Sequence, residues 1–154
     1  MKNVLLGVFA LCTTVLFAQE YQWTSYNFSV ANEDVEIVGE IVGDYFGEEE
    51  SKSEGVSAFL FEKHFNDNSI NLTHSIVFTG TLEAMGAQYN RDPNTKWDLF
   101  LAKLNQFTES HSSAAGTGLI SFEEPGSHPV QNIFWLDVKD PQKFATAFSK
   151  YNKK

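Results

Sequence analysis

Cysteine is almost absent from this sequence, and the only one, Cys12, lies inside an apolar N-terminal segment. That segment, MKNVLLGVFALCTTVLFA, has one lysine and an apolar run that ends at Ala18. The run is shorter than the roughly 20 residues that a membrane-spanning helix needs, and it is typical of a secretory signal peptide. We therefore expect residues 1–18 to be a signal peptide, and the mature chain, residues 19–154, to contain no cysteine.

A mature chain without cysteine excludes disulfide bonds, thiolate zinc sites and cysteine nucleophiles. Basic residues are also scarce, because 11 lysines and arginines stand against 20 acidic residues, a formal net charge of −9 at pH 7. Such a balance disfavours nucleic acid and anionic membranes as partners, and we expect no membrane span after signal removal. We predict a secreted or periplasmic protein with one domain, since a chain of this length can bury a single core.

Hydrophobic patterning predicts that strands and helices alternate along the mature chain. The predicted strands are Tyr21–Val30, Val56–Phe65, Asn71–Gly80, the segment GLISFE at 118–123, and Val130–Val138. The predicted helices are residues 33–46, a short helix around Met85, a helix from an Asp92–Pro93 start to about Glu109, and a final helix that starts at Asp140–Pro141. The segment HSSAAGTG, which precedes GLISFE, is predicted to be a loop.

The order of these elements predicts an α+β fold. Residues from about 21 to 123 follow the β-α-β-β-α-β order of a ferredoxin-like sandwich, in which helices cover one face of an antiparallel sheet. The last predicted strand and helix add a C-terminal βα unit to this sandwich.

Three glycines fall four residues apart and would line one ridge of the first predicted helix, or end it in the case of the last: Gly39, Gly43 and Gly47. Such a ridge could admit a ligand or the backbone of a partner. We interpret it instead as close packing of the helix against its own sheet.

The segment FWLDVKDPQKFATAFSKY resembles the strand-then-helix segment of the dimeric α/β-barrel superfamily, and Ser75–Tyr89 repeats the same pattern. This superfamily includes small oxygenases, haem-degrading enzymes and stress proteins, and its ferredoxin-like units pair sheet to sheet. The resemblance implies a homodimer and a cavity against the sheet, lined by alternate strand residues. The sequence departs from the simple members by its additional βα unit and its signal peptide. No catalytic residue is carried over from the family.

His74 is the first candidate for a functional residue, because it shares a predicted strand face with Ile76 and Phe78. A neutral imidazole in an apolar pocket can act as a general base or bind a haem iron. The simpler interpretation is a core histidine satisfied by a backbone carbonyl or by Glu62 across the predicted hairpin. His64 and Glu62 could also flank His74, but we predict no metal site.

Asp137 and Trp135 are the other candidates, and both belong to the predicted strand Val130–Val138. Asp137 could serve as a base in a pocket, or it could cap the turn that follows the strand. Trp135 could stack on a flat ligand. The candidate catalytic residues are therefore His74, Asp137 and Glu62, the candidate ligand-binding residues are Trp135, His74 and His64, and no cofactor is predicted.

These residues do not form a catalytic motif. The nearest match to a nucleophile elbow has Gly55 and Ser57 in place, but Phe59 stands where that motif has glycine. The leading hypothesis is a module that binds an unknown small molecule or protein. One alternative is a small cofactor-independent oxygenase or isomerase with a histidine in an enclosed pocket, and another is a structural protein that assembles with copies of itself.

Overall fold

The computed structural model describes residues 21–64, 72–118, 130, 134 and 136–152, so the predicted signal peptide lies outside the described residues. The four strands are β1 (Tyr21–Val30), β2 (Val56–Glu62), β3 (His74–Thr81) and β4 (Thr108–Thr117). The helices are α1 (Val35–Gly47), α2 (Leu82–Tyr89), α3 (Thr95–Leu104) and α4 (Pro141–Asn152). Short 3-10 turns at Asn32–Asp34 and Glu49–Ser51 flank α1.

The strands form one antiparallel sheet in the order β2-β3-β1-β4. With α1 between β1 and β2, and α2 and α3 between β3 and β4, this order is the ferredoxin-like arrangement. The predicted α+β sandwich, with helices on one face of an antiparallel sheet, is therefore confirmed.

Side chains alternate between the two faces of this sheet, as the pleat of a strand requires. On the helix face, Phe28 of β1 and the β3 residues Ile76 and Phe78 are buried. They pack in one core cluster with side chains from the helices, namely Val38, Val42, Tyr45, Met85, Phe100 and Leu104. The opposite face, which we call the second face, holds Asn27, directly paired with Ser75.

The position of β4 corrects the sequence prediction. The fourth strand of the sheet is Thr108–Thr117, which includes the segment that was predicted to be a loop. This strand pairs with β1 through backbone hydrogen bonds and contains no large apolar residue, so it has no hydrophobic alternation to reveal it. The predicted strand at 118–123 lies outside the described residues except for Gly118.

Helix α3 is shorter than predicted at both ends. Asn94, not Asp92, caps its start, because the Asn94 side chain accepts a hydrogen bond from the backbone N–H of Lys96 at 2.9 Å. The helix ends at Leu104, whose carbonyl accepts from the N–H of Phe107 at 3.0 Å as the chain turns into β4. The prediction that this helix continues to Glu109 was wrong.

The glycine ridge of α1 does not pack against the sheet. A Cβ atom added at any of the three glycines would meet no heavy atom within 4 Å in the described part of the chain, and all three positions are exposed. The interpretation as close packing was therefore wrong, because the buried stripe of α1 is formed by Val38, Val42 and Tyr45.

The final helix begins as predicted. The Asp140 side chain accepts from the N–H of Lys143 at 3.1 Å, and this bond is the main reason that the pKa of Asp140 lies below its usual value. The strand predicted at 130–138 is described only at residues 130, 134 and 136–138, and none of these is in a strand.

Candidate functional site

A cavity of about 440 Å³ lies between the helix face of the sheet and α3. Its floor is formed by residues of β1, β3 and β4, including Phe28, Ile76 and Phe78. Its roof is formed by one side of α3, and residues of α2 and of the α2–α3 connection close one end. The apolar lining from the helix consists of Trp97, Phe100, Leu101 and Leu104. A volume of this size is within the range of about 300–1,000 Å³ that is usual for small-molecule sites.

Two tyrosines place hydroxyl groups at the polar end of this cavity. The Oη atoms of Tyr26 and Tyr89 are 2.9 Å apart, and the Oη of Tyr89 is 2.7 Å from Oγ1 of Thr24. The three hydroxyls have three protons, and the two hydrogen bonds between them use two, so one proton is left to donate elsewhere. Burial, and then the contact with Tyr89, raises the pKa of the Tyr26 phenol above its usual value. This group is therefore a neutral donor at physiological pH.

Charged side chains surround the same end of the cavity. Arg91, Asp92 and Asp98 line it, and the side chain of Arg91 is oriented by a hydrogen bond of 3.3 Å from Nε to the carbonyl of Gln88. The cavity therefore combines an apolar, aromatic body with hydroxyl, guanidinium and carboxylate groups at one end. This combination can hold a flat ligand and fix the orientation of its polar group.

His74 is buried on the helix face but does not belong to the lining of this cavity. Its ring stacks on Phe28, with centroids 5.9 Å apart and planes 13° apart. Its Nδ1 is 2.8 Å from Oγ1 of Thr73, which also accepts from the N–H of Val30 at 2.8 Å. The Thr73 hydroxyl proton can therefore point to Nδ1, which places the proton of a neutral ring on Nε2. His74 remains a predicted catalytic and ligand-binding candidate.

The stability of the fold should depend on the protonation of His74. Burial lowers the pKa of His74, and the nearby Glu62 carboxylate only partly opposes this. Since the folded state disfavours the charged ring, stability is complete above about pH 6.5, the value for an unfolded chain, and falls as the pH drops towards the lower folded pKa. One such group contributes a slope of at most about 1.4 kcal/mol per pH unit. Urea unfolding between pH 7.5 and 5 should show this slope for the wild type.

The control for this prediction is His74→Phe, which keeps an aromatic ring against Phe28 but cannot be protonated. The difference in unfolding free energy between wild type and variant should change over this pH range. A difference that stays constant would mean that His74 is not held neutral by the fold.

The other predicted residues are not gathered around the cavity. Glu62 is exposed and directly opposite His74 in the β2–β3 pairing, so these two are brought together as predicted. His64 is exposed just beyond β2, and Asp137 is exposed in the stretch before α4. Trp135 lies outside the described residues, and all these candidates stay predictions.

Among the residues that the structure describes, no three histidine, cysteine, aspartate or glutamate side chains are grouped as a metal site requires. In the same part of the chain, each helix is too short or too polar to cross a bilayer.

The structure defines a ferredoxin-like α+β protein with a cavity between sheet and helices. No family model matches the sequence, and no curated protein is significantly similar to it. Among solved structures, SnoaB from Streptomyces nogalater, a cofactor-independent oxygenase, is 12% identical with a TM-score of 0.43, over 70% of this chain and 100% of SnoaB. Protein Atu4242 from Agrobacterium tumefaciens is 18% identical with a TM-score of 0.44, over 69% and 97% of the two chains.

A third similar structure is a conserved protein of unknown function from Bacteroides thetaiotaomicron, described as a possible oxidoreductase. It is 12% identical with a TM-score of 0.42, over 66% of this chain and 100% of the other. The fold class rests on the strand order of this chain. A proposal about its function must rest on its own side chains.

The sequence interpretation missed Tyr26, Tyr89 and Arg91 as functional candidates. Tyr26 alternates with Phe28 on β1, and this period places both on the helix face. Tyr89 is the last residue of α2, and Arg91 follows that helix in a stretch without regular structure. The available signal was the position of two tyrosines and an arginine on or beside elements that pack together. The arginine is the unusual residue, since this acidic chain has no other.

Proposed function

We propose that this protein binds a planar, largely apolar small molecule in the cavity between the sheet and α3. The observation that carries the proposal is the Tyr26–Tyr89 hydroxyl pair at one end of a cavity with aromatic walls. Apolar walls with a few oriented polar groups are the usual composition of a ligand site, since the walls supply affinity and the polar groups supply orientation.

The polar end of the cavity indicates the chemistry of the ligand. Tyr26 stays protonated, so it donates to an acceptor such as a carbonyl or phenol oxygen. Arg91 at the same end favours a ligand oxygen that carries partial or full negative charge. The preferred ligand is therefore a fused aromatic ring system with an oxygen substituent at one edge.

Titration with 2-naphthol, followed by its own fluorescence, tests this proposal. The wild type should bind 2-naphthol more tightly than 2-methylnaphthalene by about 5- to 10-fold, since a hydrogen bond contributes about 1 kcal/mol. Tyr26→Phe should remove this difference while leaving binding of the hydrocarbon unchanged. Leu101→Trp, which fills the half-buried wall of the cavity, should weaken both ligands more than 10-fold.

Leu99→Trp is the matched control, because Leu99 is on the same helix but is 56% exposed and outside the cavity lining. It should bind both compounds as the wild type does. Equal affinity of the two compounds for the wild type, or unchanged binding in Leu101→Trp, would contradict the proposal.

A second candidate is a small cofactor-independent oxygenase or isomerase that uses the same cavity. Asp92 and Asp98 line the same cavity as the Tyr26 phenol, so the cavity contains both a base and a hydrogen-bond donor. A carboxylate can take a proton beside a carbonyl while the phenol stabilises the enolate oxygen. Deuterium exchange into 2-tetralone, followed by NMR, tests this chemistry, and exchange no faster than in buffer would rule it out.

Secretion and self-association are further parts of the proposal. A secreted or periplasmic location is supported by the sequence of residues 1–18 alone. A homodimer is supported by the exposed aromatic residues Phe134, Phe144 and Tyr151, because a monomer rarely leaves several such side chains in water. Native mass spectrometry of protein purified from its own secretion route reports the cleaved N-terminus, the oligomer and any retained ligand together.

A further inference from the structure

The second face of the sheet carries a polar cluster that is separate from the cavity. Its centre is the side-chain oxygen of Asn27, Oδ1. This atom accepts from Oγ of Ser75 at 2.6 Å, from Oγ of Ser25 at 3.2 Å and from Nζ of Lys63 at 3.2 Å. Because an ammonium group can only donate, the contact with Lys63 fixes which end of the amide is the oxygen.

The amide oxygen of Asn27 is crowded with donors. An amide oxygen has two lone pairs, and here three donors converge on it. The amide nitrogen of Asn27 is itself a donor, directed to Oγ of Ser112 at 3.2 Å. Ser25 and Ser75 are buried, whereas Asn27 and Lys63 are half-buried. The Lys63 ammonium is the donor that can turn to a further acceptor, since two of its three protons are not directed at Asn27.

Within the described residues, Lys63 supplies a positive charge without a carboxylate partner. No carboxylate of the described residues forms an ion pair with Lys63, whereas Lys52, Lys96 and Lys143 are each paired. Burial lowers the pKa of Lys63. The N–H of Lys63 donates a hydrogen bond of 2.7 Å to the carbonyl of Thr73. This bond fixes the backbone position from which the Lys63 side chain extends.

Apolar rings adjoin the cluster on the same face. Phe61 is paired directly with Ser75, and its ring is 6.1 Å from that of Phe59, one position further along the same face of β2. Both rings are half-buried. The second face therefore presents a cation beside an aromatic surface.

We infer that Lys63, Ser75 and Asn27 form a binding site for the carboxylate of a small aromatic or aliphatic acid whose body lies on Phe59 and Phe61. The carboxylate accepts from the Lys63 ammonium, which has two protons beyond the one directed at Asn27. One ammonium group matches the single charge of a carboxylate better than the double charge of a phosphate.

Calorimetric titration of the full protein with sodium benzoate tests this site, with neutral benzamide as the matched compound. The wild type should bind benzoate at least about 10-fold more tightly than benzamide, since a charged hydrogen bond contributes about 1.5–3 kcal/mol. Lys63→Met should weaken benzoate about 10- to 100-fold for the same reason, whereas Lys63→Arg should retain most of the affinity. Lys52→Met, at an exposed lysine paired with Glu49, should have no effect.

Two further variants make the result unambiguous. Asn27→Asp places a resident carboxylate beside Lys63 in a side chain of the same shape, so it should compete with benzoate and weaken it more than 10-fold even if Lys63→Met folds poorly. Leu101→Trp closes the other cavity and should leave benzoate affinity unchanged. The inference is overturned if the wild type fails to bind benzoate, if benzamide binds equally well, if Asn27→Asp has no effect, or if Leu101→Trp abolishes binding.

Discussion

Phe100→Ala is expected to lower the free energy of unfolding by about 3–5 kcal/mol, as truncation of a buried phenylalanine usually does. Phe100 is only 4% exposed, and its ring stacks on Tyr45 with centroids 4.4 Å apart. It also contacts the rings of Phe46 and Trp97 at 5.6 and 5.2 Å. Removing the ring takes one contact from each of these three aromatic neighbours and enlarges the existing cavity. Chemical denaturation followed by circular dichroism measures the loss.

Leu99→Ala is the control for this prediction, because it truncates the next residue on the same helix, whose side chain is mostly in solvent. Its expected effect is within about 0.5 kcal/mol, the usual range for a surface substitution. Similar losses for the two variants would show that α3 is not anchored through Phe100.

Gly80→Ala is expected to destabilise the protein by about 1–3 kcal/mol through overpacking. A Cβ atom at Gly80 would lie 2.6 Å from the carbonyl oxygen of Gly55, which is backbone and cannot rotate away. Gly55 itself has a φ of 73°, and a Cβ there would be 3.1 Å from that of Ala84, so the corner between β2, β3 and α2 has no spare room. Thermal unfolding should show a lower midpoint.

The same substitution at Gly43 should have the opposite sign. Gly43 is inside α1, and a Cβ there meets no atom within 4 Å in the described residues. Alanine should therefore stabilise the helix by about 1 kcal/mol, since it restricts the unfolded chain more than glycine does. If alanine raises the unfolding midpoint at both Gly80 and Gly43, or lowers it at both, the predicted difference in packing between the two sites is contradicted.

The elements with strong hydrophobic periodicity could be predicted from the sequence, and the others could not. The bounds of β1 are as predicted, because Tyr21–Val30 is rich in aromatic and β-branched residues. Helix α4 starts at Pro141, as its local Asp-Pro signal predicts. The position of β4 was missed because pairing with β1, a contact distant in sequence, determines that strand.

The candidate site was less predictable because it is assembled by tertiary contacts. His74 was a candidate because it is a chemically reactive residue type on an apolar strand face. It stacks on Phe28, but the cavity is lined by Phe28 and by residues of α3 without His74. Tyr26 and Tyr89 are 63 positions apart, and only the packing of α2 on the sheet brings their hydroxyls together. Single-residue chemistry could not reveal a pair of this kind.

The composition of β4 also bears on how this protein avoids aggregation. As the last strand in the order β2-β3-β1-β4, it consists of serine, threonine, alanine, glycine, glutamate and histidine, and a bulge interrupts its register beside Asn27 and Phe28. Segments that seed amyloid combine high hydrophobicity with regular β structure, and β4 has neither. While the chain is still folding, such a strand offers other unfolded chains little apolar surface to pair with.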